Sequence, residues 1–156
     1  MGLKGSGVNN EWRRDGRDQY KYYLQIPTRW IDNDLYAHVN NVNYYAFFDT
    51  VIGRYLVEEA SFDIVEDPIV GFAVESSCSY FKPLRFPEAI DAGLRVSHLG
   101  RSSVRYEIGL FHEKDNDPSA AGYFVHVFVS RTSRNPSEIP PKIRQALKKI
   151  VLERDR

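Results

Sequence analysis

The chain has 156 residues, of which 42% are hydrophobic and 27% charged, as expected for one globular domain. Its 21 Lys and Arg residues balance 21 Asp and Glu residues, so it has no net charge that would attract nucleic acid or a membrane surface. A single cysteine, Cys78, excludes an internal disulfide and a cysteine-based metal cluster. These features predict a cytoplasmic protein with neither a nucleic-acid nor a membrane partner.

The first half of the chain predicts an arm, a strand, a loop and a helix. Residues 1–18 are polar, rich in glycine and without periodicity, so we expect a flexible N-terminal arm before one domain over residues 19–156. Aromatic and β-branched residues favour a strand over residues 20–27. The polar segment 28–43 predicts a structured loop, and apolar residues at helical spacing predict a helix over residues 44–59.

Two features of this helix stand out. Asn40, Asn41 and Asn43 offer capping side chains, so the helix should begin where the polar loop ends. Gly53 lies inside the helix, where glycine costs about 1 kcal/mol relative to alanine. We therefore expect a neighbouring backbone to pack closely against it.

The second half of the chain has strand character and ends in a helix. The four predicted strands are Val70–Phe81, Ala89–His98, Ser103–Phe111 and Tyr123–Ser130. Their short connections favour antiparallel pairing, because a parallel crossover needs a dozen or more residues. Pro140 and Pro141 open an amphipathic C-terminal helix. The order predicts an α+β fold in which the long helix covers a sheet of about five strands.

The polar segment before the long helix combines groups that suit acyl transfer. It holds two carboxylates, Asp32 and Asp34, and the imidazole of His38. The first amide N–H groups of a helix have no internal partner, and the positive end of the helix dipole attracts anions. A carboxylate a few residues upstream could act on a carbonyl group whose oxygen points at those amides.

The same segment is compatible with other roles. An Asp-x-Asp loop before a helix is often turn and capping chemistry, and a histidine beside it is often structural. A calcium loop is excluded, because Ala37 and Asn43 occupy the positions where that loop needs Gly and Glu. A zinc or iron site would need a second histidine at ligand spacing, so we expect no metal.

The residue pattern of this segment resembles a known signature. In order, it reads Asp32-Asn33-Asp34-Leu35-Tyr36-Ala37-His38-Val39-Asn40-Asn41-Val42-Asn43-Tyr44. It is similar to the Asp-x-Asp-x-x-Gly-His-Val-Asn-Asn-x-x-Tyr segment of the 4-hydroxybenzoyl-CoA thioesterase-like branch of the hotdog superfamily. Further similar stretches are 80–86, 99–104, 126–131 and 139–140, so the resemblance covers roughly residues 20 to 150.

The resemblance implies a hotdog fold, with a long central helix wrapped by a curved antiparallel sheet. It also implies homodimers with a continuous sheet, or homotetramers built from them, and active sites between subunits. The implied reaction is hydrolysis of an acyl-CoA thioester to a carboxylic acid and CoA, with no cofactor, since CoA is part of the substrate.

The resemblance assigns roles to individual residues of the loop. Asp34 takes the place of the catalytic carboxylate, acting as nucleophile or general base, and the backbone amide of Asn41 takes that of the oxyanion donor. His38, also placed in the catalytic set, organises the loop together with Asn40. Asn40 and Tyr44 are expected to contact the substrate.

The turn at Arg101, Ser102 and Ser103 matches a position that in the family often meets the phosphates of CoA. Arg and Ser donors suit phosphate oxygens, although a solvated turn would contain the same residue types. Ala37 departs from the family's Gly, so any positive φ there would strain the loop. His98, His112 and His126 fall in strands or at their ends and are interpreted as structural, as is Cys78.

Two other functions stay open on the sequence. One is a thioesterase for acyl chains on an acyl carrier protein, which would dock on the basic regions 101–105 or 142–154. The other is a non-catalytic acyl-CoA-binding module, because a fold alone does not establish turnover. The sequence leaves the acyl group open, since Tyr44, Tyr45 and Phe48 suit a fatty or an aryl chain equally well.

Overall fold

A computed structural model of the protein describes residues 10–153, so the part of the expected arm at residues 1–9 lies outside it. The strands are β1 (Tyr22–Pro27), β2 (Ile69–Tyr80), β3 (Ala89–Leu99), β4 (Ser103–His112) and β5 (Ala120–Ser130). The α-helices are α1 (Asn41–Ala60) and α2 (Pro141–Lys148), and short 3₁₀ helices span Glu11–Arg14, Arg17–Gln19 and Trp30–Asp32. The predicted fold, one long helix on an antiparallel sheet with a C-terminal helix, is confirmed.

Within residues 10–153, five strands form one antiparallel sheet in the order β1-β3-β4-β5-β2. Helix α1 lies on one face and buries aromatic and aliphatic side chains that recur every three or four residues, among them Phe48, Ile52 and Tyr55. Alternate residues of β3 and β4 complete this core. The central strands are buried, whereas β2 and β1 are the edges of the sheet.

The two ends of the sheet carry different loops. At the loop end, β1 finishes at Pro27 opposite Ala89, and β2 finishes at Tyr80 opposite Ala120. The polar segment after β1 therefore lies at this end. At the opposite end, here called the turn end, lie the tight turn between β3 and β4 and the start of β2. Helix α1 runs from the loop end, where the Tyr80 hydroxyl donates to the carbonyl of Asn41, to the turn end.

Residues 10–18 are packed, which corrects the expected extent of the flexible arm. The buried guanidinium of Arg13 donates to the Ser77 hydroxyl at 2.9 Å and to the Ala121 carbonyl at 3.3 Å. Arg17 pairs with Asp91 at 2.7 Å. Hydrophobic periodicity does not predict this packing, because the segment is attached to the sheet by arginine side chains. For example, the guanidinium of Arg14 stacks on the ring of Phe81 in a cation–π contact.

Two glycines of the fold, Gly122 and the exposed Gly53, have opposite surroundings. A β-carbon on Gly122 of β5 would lie 2.0 Å from the Ser77 carbonyl oxygen and 2.6 Å from the Phe48 ring. A β-carbon on Gly53 of α1 would meet no atom of residues 10–153 within 4 Å. The expectation that a backbone packs against Gly53 is therefore wrong, and the helix borders open space there.

These surroundings predict opposite effects of the same substitution. Gly122→Ala should lower the free energy of unfolding by about 3 kcal/mol, because strands must separate to admit the methyl group. Gly53→Ala should raise it by about 0.5–1 kcal/mol through helix propensity. Denaturant unfolding of both variants measures the difference. Equal destabilisation by the two substitutions would contradict this description of the packing.

His126 on β5 is a buried uncharged group. Its side chain is 9% exposed, and neither ring nitrogen has a hydrogen-bond partner among residues 10–153. Burial lowers the pKa of the imidazole from 6.5 to about 4. The unfolded chain therefore takes up a proton at a higher pH than the folded protein.

Stability should consequently fall as the pH falls from about 6.5 towards 4, by about 1.4 kcal/mol per pH unit from this group. We expect unfolding free energies at pH 7 and pH 4.5 to differ by about 2–3 kcal/mol more in the wild type than in His126→Phe. The variant is the control, since every other titrating group is shared. If the free energy of unfolding changed with pH in the same way in both proteins, the lowered pKa of His126 would be disproved.

Candidate active site

The loop after β1 is organised around the carboxylate of Asp32, which is completely buried. One carboxylate oxygen accepts the backbone N–H of Arg29 at 2.7 Å, and the other accepts its guanidinium at 2.8 Å, which raises the pKa of Arg29. The backbone carbonyl of Asp32 accepts the N–H of Asn40 at 2.8 Å and the side-chain amide of Asn43 at 3.1 Å. Asp32 thus links the two ends of the loop, and both of its carboxylate oxygens already accept hydrogen bonds from Arg29.

Asp34 sits in a tight turn within this loop. Its N–H donates to the carbonyl of His38 at 2.9 Å, and its carbonyl accepts the N–H of Ala37 at 3.1 Å. One carboxylate oxygen accepts the N–H of Tyr36 at 2.8 Å. The side chain is half-buried and forms no ion pair with any residue in the 10–153 range. The turn therefore fixes the carboxylate and leaves its charge unneutralised.

The start of α1 presents a free amide. Asn40 is the N-cap, and its side-chain oxygen accepts the N–H of Val42 at 3.2 Å. The helix begins at Asn41, whose own N–H donates to no group in the described part of the chain. Such an amide, at the positive end of a twenty-residue helix, is suited to hold an oxygen that carries negative charge.

A cavity of about 390 Å³ connects these groups, and we call it the loop cavity. It is lined by Asp34, His38, Asn41 and Tyr44, together with residues 80–83. The structure therefore brings four of the residues singled out in the sequence around one space. Burial raises the pKa of the Tyr44 hydroxyl, so this group stays protonated and polar at neutral pH.

A second cavity, of about 660 Å³, is also lined by Asp34. Asn40 lines it together with Trp30, Leu35 and Tyr36, whose side chains are strongly exposed. Asp34 therefore lines both cavities. One of them is bordered by exposed apolar side chains, and the other by the residue that starts α1.

Arg101, Ser102 and Ser103 do not join this group within one chain. They form the turn between β3 and β4, at the turn end of the sheet. The ten residues of β4 separate that turn from the loop end by roughly 30 Å. Arg101 is 81% exposed and pairs with Glu138 at 3.0 Å. A contact between this turn and CoA stays a prediction.

Tyr80 is a residue of the loop cavity to which the sequence analysis gave no role. It lines the cavity, and its hydroxyl donates to the carbonyl of Asn41 at 3.3 Å. Its ring packs on that of Tyr44 with centroids 4.9 Å apart. The signal was present, because Tyr80 opens the similar stretch 80–86. Cys78 beside it is half-buried, and burial raises the pKa of its thiol to about 11, so the thiol is a poor nucleophile.

The fold and this site together define a class of protein. A long helix covered by a five-stranded antiparallel sheet, with a short C-terminal helix, is the fold of the hotdog thioesterases. The chain belongs to the thioesterase-like superfamily, whose family model matches residues 27–147. It is a thioester hydrolase, and the resemblance seen in the sequence is confirmed.

Solved structures agree with this membership. The PA5185 protein of Pseudomonas aeruginosa is 50% identical, covers 91% of this chain and 99% of its own, and superposes with a TM-score of 0.89. A putative thioesterase of the same organism, PA2801, is 27% identical over 83% of this chain and 99% of its own, with a TM-score of 0.77.

A more distant structure shares the fold. The 1,4-dihydroxy-2-naphthoyl-CoA thioesterase Slr0204 of Synechocystis is 12% identical over 81% of this chain and 95% of its own, with a TM-score of 0.74. No curated protein sequence matches the chain. In the range 10–153, no helix combines the length and apolar character needed to cross a bilayer.

The conformation of Ala37 leads to a prediction about the loop. Its φ of 60° lies in the left-handed region, where alanine is strained by about 1–2 kcal/mol and glycine is not. Ala37→Gly should therefore raise the free energy of unfolding by up to about 1 kcal/mol. Ala46→Gly, at an exposed position inside α1, should lower it by about the same amount. Denaturant unfolding distinguishes the signs, and a loss of stability in both variants would contradict the loop geometry.

Proposed function

We propose that this protein hydrolyses acyl-CoA thioesters to a carboxylic acid and free CoA, with Asp34 as nucleophile or general base. The observation that carries the proposal is that the carboxylate of Asp34 and the free N–H of Asn41 line one cavity. A thioester whose carbonyl oxygen accepts that N–H would lie in the same cavity as the carboxylate. The amide favours attack, because it stabilises the charge that develops on the oxygen.

The reaction can proceed by either of two balanced routes. As a nucleophile, Asp34 adds to the carbonyl carbon and the carbon–sulfur bond breaks to release CoA as a thiolate. Water then hydrolyses the mixed anhydride, which releases the carboxylic acid and restores the Asp34 carboxylate. As a general base, Asp34 takes a proton from water while that water adds to the carbonyl carbon and CoA leaves as a thiolate. Both routes place negative charge on the oxygen facing Asn41, so the loop cavity serves either one.

A second copy of the chain would complete the site. Strand β2 is a twelve-residue edge with an exposed middle, which is an unusually long unpaired edge. When two β2 strands pair antiparallel about their centres, Tyr80 of one lies opposite Ile69 of the other. The turn end of one copy then adjoins the loop end of the other, which carries Arg101–Ser103 towards the second copy's loop cavity. We propose a homodimer of this kind, with CoA bound between the copies.

The choice of CoA as carrier has a further support. The Synechocystis enzyme with the same fold is by name a thioesterase for a CoA ester. Arg and Ser side chains at the β3–β4 turn are suitable donors for the phosphates of CoA.

Asp34→Asn tests the proposed chemistry. The substitution keeps the shape of the side chain and removes its charge, so kcat/KM for thiol release from acyl-CoA should fall at least about 10³-fold. The unfolding midpoint should change little, since Asp34 forms no ion pair among residues 10–153. Asp18→Asn, an exposed position in the N-terminal segment, is the matched control and should retain full activity. Unimpaired turnover by Asp34→Asn would reject the proposal.

A further inference from the structure

Tyr80, at the end of β2, joins the sheet to the first turn of α1. Its hydroxyl donates to the backbone carbonyl of Asn41 at 3.3 Å, although the two residues are 39 positions apart in sequence. Its ring meets that of Tyr44 edge-on, with centroids 4.9 Å apart and planes at 81°. Tyr44 is almost completely buried, so it gives the Tyr80 ring a fixed support. Tyr80 therefore contacts the helix start through both its ring and its hydroxyl.

The backbone around Tyr80 is fixed independently of the helix. Tyr80 belongs to the last residue pair of the β2–β5 ladder. The next two N–H groups, of Phe81 and Lys82, both donate to the carbonyl of the buried Ser119, at 2.8 and 3.0 Å. The guanidinium of Arg14 lies 3.8 Å from the centre of the Phe81 ring. The sheet therefore determines where the Tyr80 hydroxyl lies, and the helix start is held against it.

The Tyr80 hydroxyl restrains the peptide group that follows the free amide. In this group, the Asn41 carbonyl accepts the Tyr80 hydroxyl. The N–H of the same group belongs to Val42 and donates to the side-chain oxygen of Asn40 at 3.2 Å. The preceding peptide group is held by the Asn40 carbonyl, which accepts the Asn43 N–H at 2.9 Å. Each peptide group is planar, so these bonds together restrict rotation about the Cα of Asn41 and fix the direction of its free N–H.

The direction of this N–H matters for the proposed reaction. A donor stabilises a developing oxyanion best when it is already aimed, because no free energy is then spent on turning it during the reaction. A misplacement of about 1 Å in such a group can lower a rate about 10²-fold. Asp32 and Asn40 hold the helix start from the adjoining loop, whereas Tyr80 holds it from the sheet. Loss of the Tyr80 hydroxyl would remove this restraint from the sheet.

We propose that Tyr80 is a positioning residue for thioester hydrolysis, because its hydroxyl fixes the Asn41 peptide group beside the N–H that receives the charged oxygen. This inference rests on the proposed function. Tyr80 acts through Asn41 on the thioester carbonyl, so its contribution is independent of the acyl group. The contribution is larger in the transition state than in the bound substrate, because negative charge on the oxygen develops only during attack.

Tyr80→Phe tests this role, because it removes the hydroxyl and keeps the ring that packs on Tyr44. Steady-state kinetics should show a kcat about tenfold below that of the wild type and a KM within about twofold of it. The substrates are the best aliphatic and the best aryl ester of a CoA panel that includes octanoyl-CoA and benzoyl-CoA, and kcat should fall equally for both. Unchanged kinetics, a raised KM with unchanged kcat, or unequal losses for the two esters would overturn the proposal.

Tyr123→Phe is the matched control. Tyr123 lies on β5, and its hydroxyl donates to Glu75 of the neighbouring strand β2. It is not among the described residues that line the loop cavity, so its loss should leave kcat and KM unchanged.

The ligand S-ethyl-CoA, a thioether without the carbonyl oxygen, provides a second control. Calorimetry should give the same Kd for the wild type and for Tyr80→Phe, because the proposed effect needs that oxygen. Weaker binding of S-ethyl-CoA by Tyr80→Phe would show that the hydroxyl shapes the CoA site, and would refute the positioning role.

Asp34→Asn separates this inference from the proposed chemistry. An inactive Asp34→Asn beside a fully active Tyr80→Phe would remove only the role of Tyr80. A fully active Asp34→Asn would reject the role of Asp34, whereas equal losses of kcat in Tyr80→Phe would still support the role of Tyr80, since they depend on the carbonyl oxygen and not on the attacking group. A wild type that hydrolyses no ester of the panel would reject both.

Discussion

The buried carboxylate of Asp32 is the interaction on which the arrangement of the site depends. A charged group without solvent is tolerated only when it is paired and hydrogen-bonded, and Arg29 meets both requirements. The backbone carbonyl of Asp32 also accepts the N–H of Asn40, which holds the N-cap of α1 beside the start of the loop. Asp34 and Asn41 are seven positions apart in sequence, and they line one cavity because this loop is closed.

The antiparallel sheet gives this local arrangement its wider setting. Because α1 runs from the loop end to the turn end, one chain carries its Asp34 carboxylate and free Asn41 amide at one end and its Arg101 turn at the other. The proposed use of both features by one acyl-CoA requires them near one point. In the proposed dimer, antiparallel pairing of two β2 edges would bring the loop end of one copy next to the turn end of the other. The dimer would thus follow from the opposite positions of these two ends in one chain.

Much of this fold could be predicted from sequence. The alternation of apolar and polar residues in strands, and the spacing of apolar residues in helices, indicate directly which side chains are buried. The limits of that approach have identifiable physical causes. Helix α1 begins at Asn41 rather than Tyr44, because polar capping residues show no apolar period. Residues 10–18 are attached through arginines that sequence patterns count as exposed. The loop residues were found through a sequence signature, whereas the open space beside Gly53 depends on three elements distant in sequence.

His126 shows most clearly what a strand pattern cannot report. In sequence it is one histidine inside a strand, and a structural role is the simplest interpretation. In the folded chain, no described residue offers a partner to either nitrogen, so burial of the ring costs the free energy of its lost hydration. A phenylalanine would pack against Tyr106 and Phe124 without that cost. The core therefore keeps a polar ring at a cost in stability that the surrounding packing must offset, and strand alternation gives no sign of that cost.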